Sequence, residues 1–304
     1  MKKLLLPLML VLCLCAACAA APDASPDAAA ELLTVTDMLG HTVALTAPAE
    51  RIVALSAADC EILYAIGGGA QLVGRGEYCD YPAEIELLPA LGSGAEANIE
   101  QLLALEPQLV LLSILDYNED LAAVLQASGI AVAVTDADDI AGVYTAIGLI
   151  GALSGHDEEA AALVESMQGE FAALTALVEQ QGMSHGGVYF EASPLEYGLW
   201  TGGSRTFVDE LAAMLGMENI FADVEGWAEI SQEQVIARDP DYILTMTMYY
   251  GEGPTPVEEI YSRDGWQSLT ALQNGDVYQA DNDCLTRPGP RLTEAAWELY
   301  ELFY

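Results

Sequence analysis

The chain has 304 residues, of which 53% are hydrophobic, so it is long enough for two compact domains and too apolar for an intrinsically disordered protein. Its net charge is −38, and its only two lysines stand at positions 2 and 3, so the rest of the chain carries seven Arg against 47 acidic residues. A surface this acidic repels nucleic acid and anionic headgroups, which excludes nucleic-acid binding.

The first eighteen residues predict a lipoprotein signal peptide. Two lysines precede an apolar run from Leu4 to Leu14, which is too short to span a membrane. The following Leu-Cys-Ala-Ala-Cys stretch resembles a bacterial lipobox, which predicts lipidation at Cys18 and a protein anchored outside the cytoplasm on the bacterial cell membrane. Ordinary cleavage near Ala21 is the alternative. Residues 19–31, rich in Ala, Pro, Ser and Asp, are typical of a flexible tether.

Strands and helices alternate from residue 32 onward. A short hairpin precedes the run Arg51 to Ser56, which has strand length, and Glu61 to Ile66 ends at three glycines and is therefore a helix. Further strands are predicted at 71–74, 108–113 and 130–135, and further helices at 98–105 and 119–127. This alternation predicts a largely parallel sheet covered on both faces, the N-terminal α/β lobe of residues 32–140.

Only helical periodicity is found between Asp138 and Gln181, with a break at Ser154-Gly155. A helix from Asp157 to this end spans roughly 35 Å at 1.5 Å per residue, enough to bridge two lobes. Residues 141–183 are thus predicted as interlobe helices, and 184–304 as a C-terminal α/β lobe. Its predicted strands are 187–192, 241–246 and 276–280, and its predicted helices are 206–215, 233–238, 256–261 and a last one from 292.

An internal repeat indicates that the two lobes are related. Residues 98–111 align without gaps to residues 231–244. In both copies a capping residue begins a helix, a Glu (Glu100 or Glu233) stands in its first turn, and a proline precedes a buried strand.

The order and spacing of several motifs resemble those of the extracytoplasmic binding proteins of ABC importers for ferric siderophores, haem and cobalamin. The resemblance covers Thr34 to Tyr304, and the motifs that carry it are Asp37 to Gly40, Arg51 to Ser56, Tyr78 to Pro82, Asn98 to Leu111, Thr206 to Leu211, Glu218 to Phe221, Trp227 with Ser231 to Gln234, and Arg287 to Arg291. It implies two Rossmann-like lobes joined by a long rigid helix, with the ligand in the cleft between them. It also implies a two-fold permease with its ATPase as partner, and no cofactor other than the transported ligand.

Ligand contacts are expected beyond the carboxyl ends of the strands, where open α/β sheets bind their ligands. The predicted contacts are Ser56, Tyr78, Trp200, Trp227, Tyr249 and Arg287. Tyr78 and Trp227 match aromatic positions of the cobalamin-binding members, and Arg287 matches a ligand-contacting Arg there.

Simpler roles stand beside these. Tyr78 and Trp227 also suit the sealing of a core, and Arg287 also suits pairing with a local carboxylate. Two further aromatics of the cobalamin-binding members are replaced by Gly94 and Ser113. The expected ligand is therefore an iron chelate or a corrinoid.

The resemblance also implies roles for the repeated glutamates. In the family, matching glutamates on the two lobes engage arginines of the two permease subunits. Glu100 and Glu233 are accordingly predicted to dock the permease.

Other functional classes are disfavoured by the residues present. The three histidines, His41, His156 and His185, are outside the predicted cleft, which disfavours a bare metal site and His-ligated haem. Haem held by Tyr78 stays an alternative, as does a surface adhesin without a transport role. The chain lacks a Gly-x-Ser-x-Gly elbow, a phosphate-binding loop and a dinucleotide fingerprint, so an enzyme is not expected.

Three cysteines follow the lipobox, namely Cys60, Cys79 and Cys284. They allow one disulfide, and the sequence leaves the pairing open.

Overall fold

The computed structural model of the protein describes residues 32–92, 97–182, 186–249 and 251–304. The signal peptide, the tether and Cys18 lie outside the described residues. None of the described helices is long and apolar enough to cross a bilayer.

The N-terminal lobe is a four-stranded parallel sheet with an added hairpin. The hairpin pairs β1 (Leu33–Thr36) with β2 (Thr42–Leu45). The sheet has the order β4-β3-β5-β6, its strands being β3 (Ile52–Ala54), β4 (Leu72–Arg75), β5 (Leu109–Ser113) and β6 (Ala131–Thr135). Its helices are α1 (Ala57–Ala65), α2 (Ile99–Ala104) and α3 (Glu119–Ala127). The strand runs are buried almost throughout, as expected for a sheet covered on both faces.

Two long helices connect the lobes. Helix α4 (Ile140–Ser154) ends at Gly155, whose φ of +78° suits glycine, and α5 (Asp157–Gln181) follows. The 25 residues of α5 span about 37 Å, and the helix buries an apolar stripe that includes Met167, Phe171 and Leu174. One contiguous buried cluster includes residues of both lobes and of these helices.

The C-terminal lobe repeats the parallel sheet and adds a small antiparallel one. Its main sheet has the order β12-β11-β7-β9, with β7 (Gly186–Glu191), β9 (Met217–Asn219), β11 (Tyr242–Thr245) and β12 (Val277–Gln279). The antiparallel pair is β8 (Leu199–Gly202) with β10 (Trp227–Ile230). The helices are α6 (Phe207–Met214), α7 (Gln232–Arg238), α8 (Pro256–Ser262), α9 (Thr270–Asn274), α10 (Asn282–Thr286) and α11 (Leu292–Phe303).

The structure confirms the internal repeat at the level of the backbone. Asn98 caps α2 and Ser231 caps α7, each accepting a hydrogen bond from the N–H three residues later. Glu106 and Asp239, which precede the repeated prolines, both adopt the left-handed conformation, with φ of +47° and +42°. A strained residue at the same point of both copies indicates that the two lobes share one local architecture.

Candidate functional site

Each main sheet presents its carboxyl ends at one edge, because all its strands are parallel. On the N-terminal lobe, this edge bears Ser56, a loop of residues 76–82 after β4, and a loop of residues 114–117 after β5. On the C-terminal lobe it bears the chain after β7 and the chain from residue 246 after β11. A ligand of an open α/β sheet binds at such edges.

Tyr78 and Ser56 are the predicted contacts on the N-terminal edge. The Tyr78 side chain is 59% exposed, which is high for an aromatic residue in a folded loop. Ser56 is half-buried at the N-cap of α1, and its hydroxyl makes no capping hydrogen bond. Tyr78 therefore offers an aromatic face, and Ser56 a hydroxyl that α1 does not use.

Two apolar residues at this edge were not among the predicted ligand contacts. Ile114 and Leu115 directly follow β5 and are 40% and 92% exposed. The strand ends at Ser113, as predicted, so both residues belong to the loop that follows it. The signal that was available is the run Asp-Tyr-Asn after them, which is typical of a turn.

Trp200 and Trp227 lie on the paired strands β8 and β10 of the C-terminal lobe. Trp200 is 41% exposed, and its carbonyl accepts a 2.8 Å hydrogen bond from the Ala192 N–H, which ties β8 to the end of β7. Trp227 is half-buried and packs on Phe207, with 5.5 Å between ring centroids. Trp200 is thus exposed to solvent over a large part of its side chain, whereas the Trp227 ring is partly covered by the core of the lobe.

Tyr249 follows β11 and is exposed. Its hydroxyl donates to the Gly253 carbonyl at 3.2 Å, which orients the ring within the loop. Met248 beside it is exposed too and was not among the predicted contacts.

Arg287 lies in the interior rather than free at the cleft. Its guanidinium donates to Glu61 at 2.9 Å and to Asp80 at 2.7 Å, and it pairs with Asp283 at 2.7 Å. It also donates to the Tyr78 carbonyl at 3.3 Å. The expected ligand contact stays a prediction, but the charge is engaged by carboxylates, including the local one that the sequence offered as an alternative.

Arg291 adds a second cation to the same carboxylate. It donates two hydrogen bonds to Glu61, at 2.9 and 2.7 Å, and its guanidinium lies 4.1 Å from the Tyr81 ring centroid. We call Arg287, Arg291, Glu61 and Asp80 the arginine clamp. Because its arginines precede α11 and its acids belong to the N-terminal lobe, the clamp joins the C-terminal segment to α1 and to the 76–82 loop.

The clamp keeps Asp80 ionised. Burial opposes ionisation, but the hydrogen bond and the charge of Arg287 outweigh it and hold the pKa of Asp80 below its usual value. Tyr78 and Tyr81 flank this part of the loop, so the clamp fixes the backbone from which Tyr78 projects.

A second set of contacts joins the lobes at the start of α4. The Phe207 N–H donates to the Asp138 carbonyl at 2.8 Å, and Glu210 accepts from the Ile140 N–H at 2.8 Å. Burial, with the nearby Asp139 and Asp209 carboxylates, raises the pKa of Glu210 despite that hydrogen bond. Two separate sets of polar contacts therefore connect the lobes, which favours small rather than large opening motions.

An acidic cavity of about 260 Å³ lies next to this second set. Its walls come from both lobes and consist of Asp136, Asp138, Asp139, Arg205, Glu225 and Gly226. Burial and the two neighbouring aspartates raise the pKa of Asp138. The cavity repels anions, and its one cation, Arg205, already pairs with Glu225 at 2.6 Å.

Glu100 and Glu233 stand in the first turns of α2 and α7, and both are exposed. Each of these helices leads into the amino end of a parallel strand, so its own N-terminus faces the carboxyl edge of the sheet. Hydrogen bonds from the backbone and from the Ser231 hydroxyl lower the pKa of Glu233. The lobes therefore carry equivalent exposed carboxylates on their cleft sides.

Within the described parts of the chain, no group of three or more His, Cys, Asp or Glu is placed to hold a metal ion. His41 lies 3.2 Å from the Asp37 carboxylate, and His156 lies 3.8 Å from Glu159. Both histidines have local acidic partners.

Comparison with known proteins agrees with this architecture. A family model described as periplasmic binding protein matches residues 52–284. The chain is 32% identical over 276 residues to YvrC, an uncharacterized ABC transporter substrate-binding lipoprotein of Bacillus subtilis, covering 90% of this chain and 85% of the relative. It is 28% identical over 271 residues to a vitamin B12-binding protein of Pectobacterium carotovorum, covering 88% and 93%.

A crystal structure of a possible iron-binding, periplasmic solute-binding protein from Staphylococcus epidermidis superposes with a TM-score of 0.73 at 27% identity, covering 85% of this chain and all of that one. The similarity therefore extends over both lobes and the helices between them.

Proposed function

The chain belongs to the periplasmic binding protein family as a substrate-binding component of an ABC transporter, and from that premise we propose that it captures an iron chelate or a corrinoid in the cleft and delivers it to a permease. The observation that carries this proposal is the exposure of aromatic side chains at the carboxyl edges of both lobes, namely Tyr78 on one and Trp200 and Tyr249 on the other. Binding and release, without catalysis, is the proposed activity.

Large metal chelates suit such a surface. Corrin rings and aromatic siderophores present broad apolar faces, and aromatic side chains bind these faces by removing area from water while keeping a polar tip hydrated. The names of two similar proteins support the two ligand types, since one is described as binding vitamin B12 and the other as possibly binding iron.

The charges favour a neutral or weakly charged chelate within this class. The chain is strongly acidic, and Arg205, Arg287 and Arg291 are each paired with a carboxylate. A ligand with several negative charges, such as a ferric tris-catecholate or haem with two propionates, is repelled by this acidic surface, and these three arginines are already neutralised by their carboxylates. Cobalamin and neutral ferric hydroxamates do not meet this repulsion.

Titration of the purified protein tests the proposal. Tryptophan fluorescence and melting temperature are followed with cyanocobalamin, cobinamide, a ferric hydroxamate, a ferric catecholate and haem. We expect one of the first three to bind with a Kd on the order of 1 μM or tighter, equivalent to about 8 kcal/mol. Tight binding of haem alone would favour the haem-binding alternative, and no response to any of the five would contradict the proposal.

A matched pair of variants places the ligand. Tyr78→Ala removes an exposed aromatic side chain at the cleft edge, whereas Tyr261→Ala removes one of 39% exposure near the far end of α8. We expect about tenfold weaker binding from the first, or about 1.4 kcal/mol, and no change from the second. Equal effects would show that the ligand is not at the edge where Tyr78 lies.

We further propose that Glu100 and Glu233 dock the permease. Two equivalent carboxylates suit a two-fold partner, because each is able to accept a bidentate hydrogen bond from an Arg. The double variant Glu100→Ala/Glu233→Ala is expected to bind ligand normally and to lose uptake in cells. The control, Glu165→Ala/Glu170→Ala, changes two exposed glutamates of α5 and is expected to keep both activities. Normal transport by the first double variant would exclude the docking role.

Lipid anchoring at Cys18 completes the proposal. Cys18→Ser is expected to move the protein from the membrane to the soluble or secreted fraction, whereas Cys15→Ser is expected to leave it on the membrane. Mass spectrometry of the wild type should find a diacylglyceryl group on the N-terminal cysteine. A wild type that is soluble and unmodified would contradict the anchor.

A further inference from the structure

Two of the three described cysteines meet in the interior of the N-terminal lobe. Cys60 lies in α1 and Cys79 in the 76–82 loop, and both are fully buried. Their Sγ atoms lie 3.5 and 3.9 Å from the same acceptor, the Ala54 carbonyl oxygen at the end of β3. Both thiols therefore lie beside one backbone carbonyl oxygen.

The third cysteine has a different environment. The Cys284 Sγ accepts a 3.4 Å hydrogen bond from Arg291 of the arginine clamp. Burial raises the pKa of Cys284 to about 12, so this thiol is a poor nucleophile in the folded protein.

We propose that Cys60 and Cys79 are joined by a disulfide in the exported protein, and that Cys284 stays a free thiol. The chemistry is thiol–disulfide exchange with an oxidant of the disulfide class, such as glutathione disulfide or an oxidised dithiol protein. One thiolate attacks the oxidant and forms a mixed disulfide, and the second displaces the remaining oxidant sulfur. The Cys60–Cys79 S–S bond forms, the oxidant's S–S bond breaks, and both protons end on the oxidant's sulfurs.

The exchange takes place during folding, before the native lobe has closed over the two thiols. The hydrogen bond from Cys79 and burial together raise the pKa of Cys60 well above its usual value, so a closed lobe holds little thiolate. Before the 76–82 loop closes over α1, both thiols are accessible to the oxidant, and the native contacts then bring them together.

The bond would add a covalent tether to the loop that carries Tyr78. The arginine clamp holds this loop from the side of the C-terminal segment, through Asp80 and the Tyr78 carbonyl. A Cys60–Cys79 bond would hold it from the side of α1, at the residue next to Tyr78. The proposal does not depend on which ligand the cleft takes.

Peptide mapping of the full chain tests the pairing. The protein is refolded in a buffer of reduced and oxidised glutathione, quenched in acid, and alkylated in denaturant. Trypsin then separates the three cysteines into peptides 52–75, 76–205 and 264–291, because cleavage occurs after Lys and Arg except before Pro. We expect peptide 52–75 linked to peptide 76–205, and peptide 264–291 alkylated.

Single replacements provide the controls. Cys60→Ser and Cys79→Ser are each expected to abolish the link, and Cys284→Ser is expected to keep it. Reduction should lower the melting temperature of the wild type and of Cys284→Ser by roughly 5 °C, and leave the other two unchanged. Recovery of peptides 52–75 and 76–205 unlinked and alkylated, or a link to peptide 264–291, would overturn the proposal, and the wild-type map alone decides this if a variant fails to fold.

Discussion

The two faces of α1 each carry a buried carboxylate, and the two carboxylates differ in their hydrogen-bond partners. Asp59 and Glu61 stand two residues apart on this helix, and both are almost fully buried, at 1% and 3% exposure. Glu61 accepts hydrogen bonds from two arginines, whereas Asp59 accepts one from the Thr135 hydroxyl at 2.9 Å, and its second oxygen has no partner within the described residues. Depth of burial is equal, so the partners decide what each carboxylate does.

The consequence is visible in the pKa of Asp59 and in the connections that Glu61 makes. Burial raises the pKa of Asp59 to about 7, against the opposing hydrogen bond from Thr135 and with a smaller contribution from Asp116. Glu61 instead links α1 to residues more than 200 positions later in the chain. One face of α1 is a connection between distant segments, and the other is an uncompensated buried acid.

Breaking the Glu61 face should give the largest loss of stability. The double variant Arg287→Ala/Arg291→Ala leaves Glu61 buried without a cation, which is expected to lower the free energy of unfolding by about 3–5 kcal/mol in urea denaturation. Arg205→Ala, which breaks an exposed ion pair with Glu225, is the control and should cost less than about 1 kcal/mol. If the double variant is no less stable than this control, the clamp positions the 76–82 loop without stabilising the fold.

Neutralising Asp59 should stabilise the protein rather than destabilise it. The pKa of this carboxyl is about 7 when folded against an ordinary 3.8, so its contribution to stability is fully present below pH 4 and is lost as the pH rises to 7. Asp59→Asn is therefore expected to be more stable than the wild type at pH 8, by up to about 3 kcal/mol, with the difference shrinking toward pH 4.

Urea denaturation at pH 5 and pH 8 measures this difference. Asp120→Asn, on the exposed first turn of α3, serves as the control and should show little pH-dependent change. If the stability of the wild type relative to Asp59→Asn does not fall between pH 5 and pH 8, the raised pKa of Asp59 is contradicted.

Much of this architecture was predictable from local pattern. The parallel strands, the long α5 and the paired helix caps follow from apolar runs, helical spacing and capping residues. The strands β8, β9 and β10 were not predicted, because they are only three or four residues long and mix glycine or polar residues with apolar ones. Short strands of this kind are fixed by pairing partners that a local pattern does not identify.

At the site, sequence reasoning failed mainly where the interacting residues are far apart in the chain. Arg287 has a carboxylate four residues before it, which sequence reasoning could propose, but its partners at 61 and 80 are visible only in the folded chain. The same holds for Cys60 and Cys79, one on a helix and one on a loop. Exposed aromatics such as Tyr78 were easier to find, because they fall outside the apolar periodicity.

Arg287, which binds Glu61, has two possible roles in ligand binding. It either positions Tyr78 through the arginine clamp or contacts the ligand itself. A double-mutant cycle in ligand affinity separates them, using Tyr78→Ala, Arg287→Ala and the pair, each shown to be folded by circular dichroism, with the chelate selected by the titration above. If Arg287 acts through the 76–82 loop, each single variant should weaken binding about tenfold, and the pair should be within about threefold of Tyr78→Ala. Independent losses that multiply to about 100-fold would contradict the positioning role and assign Arg287 a direct contact with the ligand.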